Sequence, residues 1–261
     1  MAEPSISVLV PTLNAGPFVG DALRSALDQP IPPLEVLVQD GGSRDATVAI
    51  AGAIADPRVS VVSEPDRGQS DALNRAIRRA QGEWIAWLNA DDLLAPDAFA
   101  AAAPFAREGV DVVYGDFAYV DDAGEITGRV GVPDVFERER LLVKGHYLFT
   151  GAALFRRTLF ERFGELDTSL RMAMDYDFCL RIASRVHAVH CGATLGYFRQ
   201  HALSASSEIS WTLVREEERV RRRHGGYSRT RTAVPILLNE VKRVADVGSL
   251  PIRKRLRRRN G

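Results

Sequence analysis

Four short apolar runs, each stopped by a polar loop, constrain this chain more than any other feature. Ile6–Val10 ends at Pro11-Thr12-Leu13-Asn14. Val36–Val38 ends at Gln39-Asp40-Gly41-Gly42, Val59–Val62 leads into Glu64-Pro65-Asp66, and Trp84–Leu88 ends at Asn89-Ala90-Asp91-Asp92. Between them lie stretches with helical spacing. Phe18, Ala22, Leu23, Ala26 and Leu27 share one face, and residues 46–55 and 72–80 repeat the pattern. Strands alternating with helices of about ten residues predict βαβ units and a parallel sheet. In such sheets ligands bind at the carboxyl ends of the strands. All four polar loops fall at those ends, so they are expected to converge on one rim.

After residue 110 the pattern changes. Val112–Asp116 and Phe117–Val120 read as strand and lead to a hairpin signal, Asp121-Asp122-Ala123-Gly124, followed by a strand over Ile126–Val132. Further strands are expected over Thr150–Phe155 and Val186–Val189, with a helix over Leu170–Ala183. Two more helices are expected over Trp211–His224 and Ala233–Val247, and the terminal run Arg253–Arg259 is expected to fray. At 261 residues the chain can form one large domain, or one domain with an appendage. No apolar run approaches the roughly 20 residues of a membrane span. Met1-Ala2-Glu3-Pro4 lacks a basic n-region and an apolar h-region, so a secretory signal is not expected. Two cysteines, Cys179 and Cys191, fit a reduced cytosolic chain and cannot build a zinc site by themselves.

The carboxylate pair Asp91-Asp92 at a strand tip is costly to hold without a cation nearby. A hard divalent ion, Mg²⁺ or Mn²⁺, prefers oxygen ligands and often bridges to phosphates. The competing reading is that the pair starts a helix, since Asp caps well and Pro96 follows. Neither GxGxxG nor GxxxxGK[ST] follows the first strand, and no GxSxG elbow is present. Those absences disfavour a dinucleotide dehydrogenase, a P-loop kinase and an α/β-hydrolase.

In order and spacing, several of these segments resemble family 2 glycosyltransferases with the GT-A fold. The resemblance runs through Val8–Asn14, Ser25–Gln29, Glu35–Thr47, Gly68–Asn74, Ala80–Glu83 and Asn89–Asp92, then Met174-Asp175-Tyr176-Asp177 with Leu180-Arg181. It covers about residues 5 to 205. It implies an α/β GT-A fold with a mostly parallel central sheet flanked by helices, and a C-terminal helical extension. It also implies inverting sugar transfer from a nucleotide-diphosphate donor, most often UDP-linked, with Mn²⁺ or Mg²⁺ as cofactor. By the same resemblance Pro11, Thr12, Asn14, Asp40, Asp71, Asn89, Ala90 and Arg199 line the donor site. Asp40 would accept a hydrogen bond from the base, although an Asp-Gly turn reads the same way, and Asn14 could instead cap a helix near Ala15.

Asn89-Ala90-Asp91 stands where the family carries DxD, so Asn replaces its first acid. Asp91 then becomes the expected metal ligand; by the resemblance His201 touches the metal or the diphosphate, although a surface loop His reads the same way, and Asp92 is expected as an N-cap or supporting group. Asp175 matches the family's catalytic base; Met174 replaces the Glu that usually precedes it. Asp177 and Arg181, four apart, are expected to pair along a helix. Trp84 and Trp87 are expected in the core, and His146, His187, His190 and His224 are read as structural.

The net charge of zero hides an asymmetry. From Arg215 to Gly261 there are 15 Lys/Arg against 5 Asp/Glu, which leaves 19 against 29 in the rest. The expected division is therefore a catalytic domain over 1–205 and a basic helical extension over 206–261. The basic tail is either a solvated charge run or a contact with anionic lipid, the latter at about 1 kcal/mol per basic residue near the surface. Expected partners are the nucleotide-sugar donor and a saccharide or lipid-linked acceptor, and the resemblance implies envelope polysaccharide or glycolipid synthesis as the context. Nucleic acid is not expected. The expected place is the cytoplasm or the inner face of the membrane; oligomeric state is left open. Two rivals stand beside this reading. A sugar nucleotidyltransferase should carry a Gly-rich basic loop after strand one, which residues 11–16 do not fit. A non-catalytic nucleotide-sugar-binding module is kept in play by Asn89 and Met174.

Overall fold

The alternation written into the first ninety residues folds as its periodicity predicts. The computed structural model describes residues 3–201 and 211–225. In chain order the elements are β1 (Ile6–Thr12), α1 (Val19–Leu27), β2 (Glu35–Asp40), α2 (Thr47–Gly52), β3 (Val59–Ser63), α3 (Gln69–Arg79) and β4 (Trp84–Trp87). They continue with β5 (Leu93–Leu94), α4 (Ala98–Ala102), β6 (Val112–Val120), β7 (Ile126–Val130), α5 (Arg138–Lys144) and β8 (Ala153–Arg156). The last are α6 (Thr158–Phe163), α7 (Met174–Ile182), β9 (Ala188–Arg199) and α8 (Trp211–Gly225). The strands of the described residues form one sheet in the order β3-β2-β1-β4-β8-β6-β9-β5, with β7 on β6.

The β3-β2-β1-β4 half is wholly parallel. The other half is mixed. β8 lies antiparallel to both β4 and β6, β7 forms a hairpin with β6, and only β9 runs parallel to β6. The sheet is therefore less parallel than expected, because β7 turns back directly on β6 and β8 is inserted antiparallel between β4 and β6.

Alternation along the strands sends side chains to two opposite cores. Leu9, Leu37, Ile85 and Trp87 enter the core under α3 and α7, while Val8, Val10, Val36, Val38 and Trp84 enter the core under α1 and α4. Both tryptophans pack the core as expected.

The helix expected from Leu170 begins only at Met174. The backbone just before it is bonded elsewhere: Leu166 to Asn74, Leu170 to Ser70, and Arg171 to Ala173 to Glu216. The strand expected at Thr150 starts at Ala153, after a 3-10 turn over Thr150–Ala152. The strand expected over Val186–Val189 extends to Arg199, because its far half pairs with both β6 and β5.

Helix α8 matches the first of the two expected C-terminal helices. It buries Glu216, Glu217, Val220 and Arg221, with Val220 in the core that also holds α7. Packing thus continues across the expected boundary at 205/206. The helix expected over Ala233–Val247 and the terminal arginine run lie outside the described residues. Both cysteines are free thiols.

Candidate active site

The first two rim loops are laced together. Asn14 takes a left-handed conformation, with φ of 52°, and donates its N–H to Ser43 Oγ at 2.7 Å while its Oδ1 accepts the Arg44 N–H at 2.9 Å. Ala15 donates to Thr47 Oγ1 and Gly16 to Asp45. Asn14 therefore caps no helix, since α1 starts at Val19; it fixes the β1 loop onto the β2 loop. Asp40 is fully buried. Its carboxylate accepts from the Gly42 and Ser43 N–H groups and from the Ser43 and Ser63 hydroxyls. Burial opposes the charge, but the two hydroxyls and the two N–H groups outweigh it and hold the carboxyl below the ordinary range. Pro11 and Thr12 end β1 beside it, in register with Gln39 and Asp40. Thr12 Oγ1 is a buried hydroxyl with no hydrogen-bond partner among the described residues.

The third loop carries Gly68, whose φ of +113° favours glycine at the start of α3. Asp71 is buried between two guanidiniums, 3.1 Å from Arg67 and 2.9 Å from Arg75. The Arg67 hydrogen bond holds its carboxyl below the ordinary range against the pull of burial. Arg67 itself is an exposed cation at this loop, with its side chain 72% accessible. No motif singles it out in the sequence.

The fourth loop resolves the Asp91-Asp92 pair into two different environments. Asp92 is buried, and its Oδ1 accepts the Arg199 N–H at 3.0 Å while its Oδ2 accepts Asn89 Nδ2 at 2.8 Å. Contrary to the N-cap expectation it caps no helix, because Leu93 enters β5 and the next helix begins at Ala98; it supports the turn instead. Burial and the neighbouring Asp91 push its pKa well up. Asn89 completes the network by accepting from Gln69 at 2.6 Å and from Trp87 Nε1 at 2.8 Å. Ala90 is buried beneath the turn.

Asp91 points elsewhere. Its Oδ2 lies 3.1 Å from His201 Nε2, across 110 residues. The pairing Leu93↔Tyr197 between β5 and β9 brings the two loops together, and Phe18 packs on the His201 ring at 4.2 Å. Arg199 does not face outward as a phosphate clamp would. It is 2% exposed, donates to the Asp122 carbonyl at 2.8 Å, lies 3.3 Å from Asp21 and covers the Phe18 ring. Alternation along β9 turns it into the protein, where it braces α1 and the β6–β7 turn.

Asp91 and His201 together could offer two donors to a cation, and no cluster of three or more such side chains occurs among the described residues. Two protein donors suit an ion whose remaining positions are taken by phosphate and water oxygens. The fit is good for Mn²⁺, which accepts imidazole with carboxylate, and acceptable for Mg²⁺.

Asp175 sits in the first turn of α7. One oxygen accepts the Tyr176 N–H at 2.7 Å, and the other lies 3.3 Å from His146 Nδ1. His146, read as structural from its spacing, is thus the partner that sequence reasoning missed. Its signal is a fold contact between the α5 end and α7, which no local spacing reveals. Burial raises the Asp175 pKa, but the imidazole outweighs it and leaves the carboxyl below its ordinary range. Conversely, burial opposes charge on His146, and Asp175 overcomes it and raises the imidazole well above its ordinary value. Asp177 pairs with Arg181 at 2.9 Å as expected, and also with His224 at 2.8 Å. His190 meets Asp116 and His187 meets the Gly109 carbonyl.

No helix among the described residues is long and apolar enough to cross a membrane. The family profile described as "Glycosyl transferase family 2" matches residues 7–164. The chain is 34% identical over 190 residues to a "PGL/p-HBAD biosynthesis glycosyltransferase" of Mycobacterium bovis, covering 70% of this chain and 72% of that protein. In three dimensions it resembles the mannosyltransferase PcManGT of Pyrobaculum calidifontis, solved with GDP-Man and Mn²⁺. There the TM-score is 0.62 at 21% identity, over 95% of this chain and 76% of that one. It also resembles residues 1–349 of S. aureus TarS, solved with UDP-GlcNAc, with a TM-score of 0.64 at 20% identity over 85% and 67% of the two chains. The chain spans 37% of a longer TarS structure.

Proposed function

The chain belongs to glycosyl transferase family 2 and has the GT-A fold, and from that premise we propose that it is an inverting, metal-dependent enzyme using a UDP-linked sugar. The observation that carries the reading is the meeting of Asp91 and His201 at 3.1 Å at the tip of β4. A carboxylate and an imidazole drawn together at the carboxyl end of a parallel strand suit a cation shared with a diphosphate. Asp91 and His201 would hold that ion, which, when bound, offsets negative charge on the departing nucleotide.

The chain's own residues do the rest. Pro11 and Thr12 border the donor pocket, with the unpartnered Thr12 hydroxyl buried behind its wall. Asn14 and Asp40 shape the loops around the base, with Asp40 acting through Ser43 and Ser63. Asn89 and Ala90 fix the turn that presents Asp91. Arg67, not the buried Arg199, offers an accessible guanidinium to phosphate. Asp71 orients Arg67 and Arg75. Asp175 takes the proton from the acceptor hydroxyl as that oxygen bonds to the anomeric carbon and the bond to the diphosphate breaks. His146 holds the second oxygen of Asp175.

The acceptor is a saccharide or lipid-linked hydroxyl. The basic residues after Arg215 favour an acceptor at an anionic membrane surface. Residues 1–205 with α8 form the catalytic unit in this reading.

Calorimetry and turnover separate the roles. Asp91→Asn should weaken Mn²⁺-dependent UDP binding at least about tenfold. Asp175→Asn should keep UDP binding and lower transfer or hydrolysis of UDP-sugars by roughly 10²- to 10⁴-fold. Wild-type turnover in both variants would overturn the mechanism, and UDP binding without turnover in the unaltered chain would mark a binding module instead.

A further inference from the structure

We propose that helix α8 sets the geometry of the base, with Glu216 as a positioning residue that acts on Asp175 through the segment leading into α7. The inference rests on the reading of Asp175 as the base. Where the family pattern has Glu before that Asp, this chain has Met174, a buried apolar side chain. A carboxylate nonetheless reaches this helix end, from α8.

Glu216 is 5% exposed. It accepts the Arg171 N–H at 2.9 and 3.0 Å, the Met172 N–H at 2.8 Å and the Ala173 N–H at 3.2 Å. A buried carboxylate is tolerated when hydrogen bonds replace its water, and three successive N–H groups do so. The consequence falls on Asp175. Glu216 takes the N–H of the N-cap residue Ala173 and of the two residues before it, and so fixes the backbone from which α7 starts. Asp175, in the first turn, accepts the Tyr176 N–H with one oxygen and turns the other to His146.

The same helix reaches the histidine side. Arg221 is buried and tied to Glu217 at 3.0 Å. Its Nε donates to Tyr176 Oη at 3.2 Å, and that hydroxyl donates to the Leu141 carbonyl of α5 at 2.8 Å. The Arg221 guanidinium also lies against Gly145, within 3.0 Å of where a Cβ would stand. Gly145, at φ +83°, ends α5 and precedes His146. α8 thus grips the chain on both sides of the Asp175–His146 contact. The groups facing His146 are Asp175 and Cys179 of α7 and the Tyr176 ring at 5.7 Å.

The test compares Glu216→Gln, Glu216→Asp and Asp175→Asn in the full chain. It reads UDP–Mn²⁺ affinity, UDP-sugar turnover, and the NMR titration of His146 assigned against His146→Gln. Glu216→Gln should leave UDP–Mn²⁺ affinity within about twofold, lower turnover on the order of 100-fold, and move the His146 titration down towards that of a free imidazole, about 6.5. Glu216→Asp should recover part of both losses. If Glu216→Gln does not fold, Arg221→Lys serves in its place, with the same downward movement expected. An unchanged His146 titration in a folded Glu216 or Arg221 variant overturns the inference whatever the turnover. Loss of turnover in Asp175→Asn with full turnover in Glu216→Gln overturns the inference alone. Full turnover in Asp175→Asn instead overturns the reading on which it rests.

Discussion

Asn89 uses every polar atom it has: the oxygen accepts from Gln69 and Trp87, and the amide nitrogen donates to Asp92. An ionised acid at this position could not make that donation. Asn89→Asp, which restores the family's first acid, should set a second carboxyl against Asp92, whose pKa is already pushed well up, so that the contact survives only where one of the two takes up a proton. The expected cost is about 1–3 kcal/mol, seen as a fall of several degrees in the melting midpoint; an unchanged midpoint would mean that the network does not depend on the amide. The Asp175–His146 pair makes a pH prediction. The raised imidazole contributes stability that is complete below about pH 6.5 and fades as pH rises through the folded value. The lowered carboxyl contributes stability that is present above about pH 3.9 and is lost as pH falls through its folded value. The pair is therefore most stabilising near pH 4–6.5. In melts across pH, the gap between the parent and His146→Gln should be widest there and close on the alkaline side; two parallel curves would count against the pair.

At the scale of elements, α3 illustrates what periodicity hides. Ser70 and Asn74 are polar residues of α3, yet both are 2% exposed. Asn74 donates to the Leu166 carbonyl and accepts the Leu166 N–H, each at 2.9 Å, and Ser70 holds the Leu170 carbonyl at 3.0 Å. These bonds hold the segment that leads into α7. Asn74→Ala would leave two buried backbone groups without partners, so urea unfolding should show a loss of about 2–4 kcal/mol. A loss below about 0.5 kcal/mol would mean that the strap is dispensable. The start of α7 departs from the expected Leu170 for the same reason: residues 170–173 have helical composition, but the Leu170 carbonyl is held by α3 and the N–H groups of 171–173 by α8.

Over the whole molecule, legibility follows the range of the physics. The strands β1 to β4, the helices between them, the polar strand ends and the burial of Trp84 and Trp87 were readable, because side-chain periods of two and 3.6 depend only on near neighbours. The Asp177–Arg181 pair was readable for the same reason, being one helical turn. The motifs also named the family. Antiparallel insertion of β8, the inward turn of Arg199 and the pairings Asp91–His201, Asp175–His146 and Glu216 with 171–173 were not readable. Each joins residues tens of positions apart, whose meeting depends on the register of β5 on β9 or the docking of α5 and α8 on α7. Sequence alone thus determined a βαβ body with carboxylates at its strand ends. Tertiary structure decided which carboxylates are buried and which meet an imidazole, because burial and partner distance arise only when distant segments share one packed interior.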